Sequence, residues 1–356
     1  MNALIEAIVG AAADWRNPDH PRRRQSVERT LKADNRFTEQ SIAFAINQQM
    51  EQLTINNLHN WVRDRCTPVA LKVGVLNAGN IPMVGLQDYL AVLLTGHAYR
   101  GVVSSKSPAL MPAFAASVER RVPWVDSEFV SVDQLWSAAE ALLATGSDVT
   151  ADWCRRKARR HEMPGDRCLV RGHRYSIAVL DGRENSDDCD RLAEDVMLHG
   201  GAGCRSVALI FAPRTLEPDR YLESLALCST VFPPHPATSG ALAMSQALLK
   251  AIDTPHAYGE GLEFLVSRGG PDVQGPGHVR WAVYDELEEA VAFIDQRQDE
   301  LQCVAARPHL HRRLPDCCTV VELGETQRPP LDWHPDGVDT VAFLAGLSGN
   351  LPRPEG

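Results

Sequence analysis

The stretch Leu71-Lys72-Val73-Gly74-Val75-Leu76-Asn77-Ala78-Gly79-Asn80-Ile81-Pro82 decides the fold class. Its first six residues are a short apolar run with one charge, the pattern of a buried strand. The next six are rich in Asn, Gly and Pro, which set turn geometry. Residues 84–94 then read as an apolar helix. A second strand is expected over 99–103 after Gly96, another helix after Pro108, and a third strand over Phe129-Val130-Ser131-Val132. Strands and helices alternating at this spacing predict parallel βαβ units and an α/β fold.

Working outward, the first 65 or so residues read as helical. Residues 39–53 carry Ile42, Ala43, Ala45, Ile46 and Met50 at helical spacing, and Thr38 stands as their N-cap. A second α/β set follows, with strands expected over 175–180 and 207–211 and helices over 239–252 and 286–298. Residues 269–277 and 328–330 are loops by their Gly and Pro content, and the boundary between the halves is expected near 165–180. A chain of 356 residues is long enough for two domains with separate cores.

With 36 basic against 46 acidic residues the formal net charge is −10, which disfavours a nucleic-acid partner. An anionic ligand must be held by local donors. Nine cysteines, at 66, 154, 168, 189, 204, 228, 303, 317 and 318, form no CxxC pair, and their odd count argues against a disulfide framework. The N-terminus lacks a basic region before its apolar run, and no stretch reaches the roughly 20 apolar residues of a membrane span. A cytoplasmic protein with reduced thiols is expected.

Cys204 stands in Gly200-Gly201-Ala202-Gly203-Cys204-Arg205-Ser206, directly before an apolar strand. Small neighbours leave its thiol uncrowded, and backbone N–H groups there can face a substrate oxygen. A nearby arginine or amide dipoles would favour the thiolate. The same residues also suit a tight glycine turn with an incidental cysteine. Asn80 is either an oxyanion donor or a turn former. Thr145-Gly146-Ser147, read as following a helix, is either a contact for a cofactor phosphate or ribose or a plain turn, since it lacks GxGxxG. The cluster Arg155-Arg156-Lys157 with Arg159-Arg160 is a solvated helix face or an anion contact. His309 with His311 and the adjacent Cys317-Cys318 lack zinc-site spacing, and no GxSxG elbow is present. No metal is expected.

Taken together, Gly79-Asn80-Ile81-Pro82, Gly96-His97 with Ser104-Ser105-Lys106, Ala144-Thr145-Gly146-Ser147, Ser176 to Leu180 and Gly203-Cys204-Arg205-Ser206 resemble the acyl-CoA reductase family of bacterial luminescence (LuxC-like). That family is a branch of the aldehyde dehydrogenase superfamily. Leu301-Gln302-Cys303-Val304, Gly324-Glu325-Thr326-Gln327 and Asp336 to Thr340 also fit its shorter members. The resemblance implies an aldehyde dehydrogenase-like fold. Residues 1–174 would form a helical N-terminal segment and a Rossmann-like nicotinamide-cofactor domain, 175–325 an α/β catalytic domain, and 326–356 a C-terminal segment that packs back or oligomerises. It implies Cys204 as nucleophile, Asn80 as oxyanion donor, and Ser104, Lys106, Thr145, Gly146 and Ser147 as cofactor contacts. The cofactor would be NADPH, with NADH as the alternative. The substrate would be an acyl-CoA, expected to carry a long fatty acyl chain, reduced to an aldehyde by a homo-oligomer, with an acyl-transferring or acyl-activating partner protein. Where hydrolytic relatives carry E-L-G-G-K, Val170-Arg171-Gly172-His173-Arg174 supplies no carboxylate, which favours reduction. Where the family usually has a lysine four residues before Lys106, this chain has Val102. Two alternatives remain open: a reductase of another activated acyl group (an acyl phosphate or acyl-protein), and an inactive scaffold on the same fold.

Overall fold

A computed structural model describes residues 1–347 other than 64 and 68. The chain falls into two compact units. The first comprises Met1–Asn35, Ile42–His173 and the segment from Pro330, and the second Arg36–Ser41 and Arg174–Pro329. Residues 348–356, the end of the expected C-terminal segment, lie outside the described residues.

The first unit holds a five-stranded parallel sheet of β1 (Lys72–Leu76), β2 (Ala98–Val102), β3 (Ser127–Phe129), β4 (Ala141–Thr145) and β5 (Cys168–Arg171), in the order β3-β2-β1-β4-β5. Val73 and Val75 of the central β1 are fully buried. Gly74 between them admits the helix Val132–Ala138, because a Cβ there would lie 3.1 Å from the Leu135 Cγ. Strand order reverses between β1 and β4, and such a switch point opens a crevice at the carboxyl ends of the strands. The helices Asn2–Arg16, Pro21–Leu31, Glu39–Gln52 and Ile55–Val62 make up the helical N-terminal segment. Trp15 anchors the first of them, donating its indole N–H to Ser117 Oγ at 3.1 Å and meeting Phe114 edge-on.

The tail returns to this unit. Arg65 pairs with Asp339 at 2.6 Å, and Arg171 donates to Thr340 Oγ1 at 2.7 Å. His97 accepts from the Leu71 N–H at 3.1 Å through Nδ1, so its Nε2 carries the hydrogen directed at the Leu344 carbonyl, 2.9 Å away. Burial lowers the pKa of this imidazole.

The second unit holds β6 (Tyr175–Val179), β7 (Val207–Pro213), β8 (His256–Tyr258), β9 (Leu265–Arg268), β10 (His278–Tyr284), β11 (Leu301–Ala306) and β12 (Val320–Val321). Their order is β12-β11-β6-β7-β10-β9-β8, parallel except for β8. Alternate residues of β6 and β7 enter opposite cores. Ala178, Ile210 and Ala212 pack with Val196 and Trp281, while Ile177, Val179, Leu209 and Phe211 pack with Phe293 and Ile294. A sheet covered on both faces explains why these strands read as unbroken apolar runs.

Several element ends move, the helix expected over 239–252 running Pro236–Ala251 and that over 286–298 running Leu287–Gln296, and three further shifts have a local cause. The helix expected from residue 84 begins at Leu86, because Met83 takes a positive φ of 58° and residues 82–85 form turns. The third strand ends at Phe129 rather than 132. Ser131 instead caps the helix Val132–Ala138, accepting from Gln134 N while Gln134 Oε1 accepts from Ser131 N, a reciprocal capping box. Thr145-Gly146-Ser147 follows a strand, not a helix: Ala141-Leu142-Leu143-Ala144 favours helix by composition, but β1 and β5 enclose it as a central strand. Among the described residues no helix is long and apolar enough to cross a membrane.

Candidate active site

In the first unit, the sequence-selected residues gather at the carboxyl ends of three adjacent strands. Asn77, leaving β1, is bound to the end of β2: its backbone N–H and its carboxamide both donate to the Val102 carbonyl at 3.2 Å, and the carboxamide reaches Tyr99 Oη. Gly79 then lies directly on the loop after β2. A Cβ at Gly79 would fall 2.5 Å from Ser104 Cβ and 3.3 Å from Lys106 Cβ, so only glycine permits this approach. The turn beneath is closed by the Lys106 N–H on Ser104 Oγ at 3.3 Å and the Ser107 N–H on the Ser104 carbonyl at 3.0 Å. Asn80 follows Gly79 and is exposed. Val102, where the resemblance would place a lysine, packs against the core around Trp136 and Leu142.

The third loop leaves β4. Ser147 caps the helix Asp148–Arg160 by accepting from Thr150 N at 3.3 Å, and a Cβ on Gly146 would come within 2.8 Å of the Thr150 side chain. Thr145 is half-buried, its Oγ1 3.4 Å from Nη1 of Arg171. Arg171, whose importance the sequence reading missed, is buried and pairs with Asp88 at 2.9 Å. Only tertiary structure reveals it, because its partners at 88, 145 and 340 are scattered along the chain. The stretch 170–174 brings no carboxylate of its own, but Asp148 accepts from His173 N at 2.8 Å and crowds Gly172. Arg155 to Arg160 lie along the Asp148–Arg160 helix with Arg155, Arg156, Arg159 and Arg160 exposed, the geometry of a solvated face.

These residues fit a nicotinamide dinucleotide. Two glycine-bare backbone approaches, a helix N-terminus and Lys106 stand at the carboxyl edge of a parallel sheet where strand order reverses.

In the second unit, Cys204 is half-buried in the turn that opens β7, the strand between β6 and β10. The approach to it is backbone of unusual geometry, with positive φ at His199 (57°), Gly200 (60°) and Gly201 (72°). Gly201 has a second constraint, because a Cβ there would fall 2.5 Å from the Gly277 backbone nitrogen. The Ser206 N–H closes the turn on the Gly203 carbonyl at 3.0 Å. Ser176, at the start of β6, donates Oγ–H to the Cys204 carbonyl at 2.9 Å and lies 3.1 Å from Cys303 Sγ. Burial raises the thiol pKa at six of the other eight cysteines, to about 11 at Cys154 and about 12 at Cys228 and Cys318. Such thiols are poor nucleophiles at neutral pH. The His309 and His311 pair is structural, with His309 on Asp181 at 2.6 Å and His311 on the Ala306 carbonyl at 2.9 Å.

A family model described as acyl-CoA reductase (LuxC) matches residues 64–226, a little under half of the chain. All seven sequence-selected site residues fall inside that stretch. No curated protein matches the sequence. Among solved structures, the fold is similar to PutA from Anabaena variabilis, described as of aldehyde dehydrogenase type (12% identity, 96% of this chain and 86% of that one, TM-score 0.67). It is also similar to an oxidoreductase from Marinobacter aquaeolei (13%, 90% and 77%, TM-score 0.68). A third is the NAD+ complex of an aldehyde dehydrogenase from Bacillus cereus (13%, 90% and 75%, TM-score 0.66). At these identities the likeness establishes an aldehyde dehydrogenase-like α/β fold, and the matched family description supports an oxidoreductase of acyl or aldehyde groups.

Proposed function

We propose that this chain reduces an acyl-CoA thioester to an aldehyde with NADPH, through an acyl-enzyme on Cys204. The observation that carries this reading is Cys204 on a glycine-built turn at the head of β7, inside the stretch matched by the acyl-CoA reductase model. In the proposed cycle the Cys204 thiolate attacks the thioester carbonyl and forms a C–S bond. The Asn80 carboxamide and the Cys204 N–H donate to the oxyanion. Collapse expels the CoA thiolate, which takes up a proton, and leaves an acyl-Cys204. Ser104, Lys106, Thr145, Gly146 and Ser147 would hold the cofactor, with Thr145 also tied to Arg171 at the end of β4. A nicotinamide cofactor, when bound, supplies the hydride that the acyl group needs. The resulting thiohemiacetal alkoxide on Cys204 collapses with cleavage of the C–S bond, releasing the aldehyde and restoring the thiolate.

Support for a nicotinamide cofactor comes from the fit of the three loops and from the NAD+ complex of the Bacillus cereus relative. The test is cofactor consumption, followed by NADPH absorbance, with acyl-CoAs of graded chain length. Cys204→Ala is expected to abolish turnover in a folded protein, and retained turnover would remove the mechanism. Asn80→Ala is expected to lose about a hundredfold or more.

A further inference from the structure

Three consecutive residues of the nucleophile turn are each held by a buried polar partner. Ser176 holds the Cys204 carbonyl. The next two are held by one segment far along the chain. Arg205 Nε donates to the Thr326 carbonyl, and Gln327 Nε2 donates to Ser206 Oγ at 3.2 Å. That segment runs from Gly324 to Gln327 outside any helix or strand, and one carboxylate organises it. Asp195, on the helix Ser186–Met197, accepts from the Gly324 N–H at 2.7 Å, the Thr326 N–H at 3.1 Å and the Thr326 hydroxyl at 2.6 Å. Asp195 and Thr326 are fully buried, and Arg205, Ser206 and Gln327 nearly so.

Burying a carboxylate costs free energy that apolar packing would avoid, and a satisfied polar network gives in return one defined geometry. Here the network ends on the two residues after the cysteine, so what it defines is the placement of the turn. We propose that Asp195, Thr326 and Gln327 are positioning residues that fix the Cys204 turn for attack. This rests on the reading of Cys204 as nucleophile.

The experiment uses the full chain with Gln327→Leu, Thr326→Val and Thr326→Ser. It measures kcat and KM for acyl-CoA reduction, together with the rate at which iodoacetamide alkylates Cys204, read on the Cys204 peptide by mass spectrometry. Gln327→Leu and Thr326→Val are expected to lower kcat roughly tenfold or more with KM within about twofold, and to change the alkylation rate. Thr326→Ser, which keeps the hydroxyl on Asp195, is expected to remain within about twofold of the parent. Variants that lose thermal stability while kcat per folded molecule and alkylation stay at parent values would overturn the proposal. Should Gln327→Leu not fold, Ser206→Ala deletes the same bond from the turn side and carries the same expectation. Turnover surviving in Cys204→Ala would instead remove the nucleophile reading, an outcome distinct from any result with the Gln327 and Thr326 variants.

Discussion

Replacing Gly201 by alanine separates two costs that the turn before Cys204 imposes. The first is conformational: at a φ of 72° an L-residue is strained by about 1–2 kcal/mol. The second is steric, because the new methyl would lie 2.5 Å from the Gly277 nitrogen and 3.2 Å from its Cα. Both obstacles are backbone and cannot swing away, so a shift of the 276–277 loop is required, at a further cost of about 1–3 kcal/mol. Gly200 provides the internal control. Its φ of 60° carries the same conformational cost, but a methyl there meets only the Thr238 side chain, Oγ1 at 3.6 Å and Cγ2 at 3.9 Å, both ordinary contacts. Gly201→Ala should therefore be less stable than Gly200→Ala by roughly 1–3 kcal/mol, or roughly 2–12 °C in melting temperature for a domain of this size. Thermal unfolding by circular dichroism measures the difference, and alkylation of Cys204 reports whether the turn has moved. Equal losses in the two variants would refute the close-approach argument.

Gly79→Ala should displace the Asn80 loop from Ser104 and Lys106, and titration calorimetry is expected to find NADPH affinity reduced about tenfold with the fold intact. Asp88→Ala leaves Arg171 buried without its carboxylate and is expected to cost about 3–5 kcal/mol in denaturant unfolding. Recovery of most of that loss is expected in the apolar pair Asp88→Leu with Arg171→Met. His278, pushed down to about 4 by burial and by the charge of Arg280, stays neutral in the folded state while the unfolded chain takes up a proton below about 6.5. Its contribution is thus complete above pH 6.5 and is lost as pH falls toward 4. Relative to His278→Gln, the parent protein should lose roughly 3 kcal/mol over that window, and parallel pH–stability curves would contradict this.

What the sequence disclosed was the local part. Val73 and Val75 announce a buried strand, and the glycines at 79, 146 and 201 stand where a bare backbone is needed. Ala141 to Ala144 misled because helix propensity is a weak local preference, and pairing with β1 on one side and β5 on the other overrides it. The Ser131 capping box carried a readable S-x-x-Q signal, and the β-branched Val130 and Val132 around it masked that signal. Arg171 and Asp195 were illegible for a different reason. Each has its carboxylate or hydroxyl partner more than 80 residues away (Asp88 and Thr340 for Arg171, Thr326 for Asp195), and neither periodicity nor local spacing encodes such a meeting.

The return of the tail to the first unit also sets an order of events at the ribosome. Asp339, Thr340 and Leu344 complete a body whose other parts, Arg65, Arg171 and His97, emerge long before them. All of the inserted segment Arg174–Pro329 must be translated in between. Of the two units the first is therefore the later to be finished during synthesis, and until then the helix Leu86–Leu94 lacks its packing against the helix Thr340–Ala345. A nascent chain paused before residue 339 would present that apolar surface to chaperones.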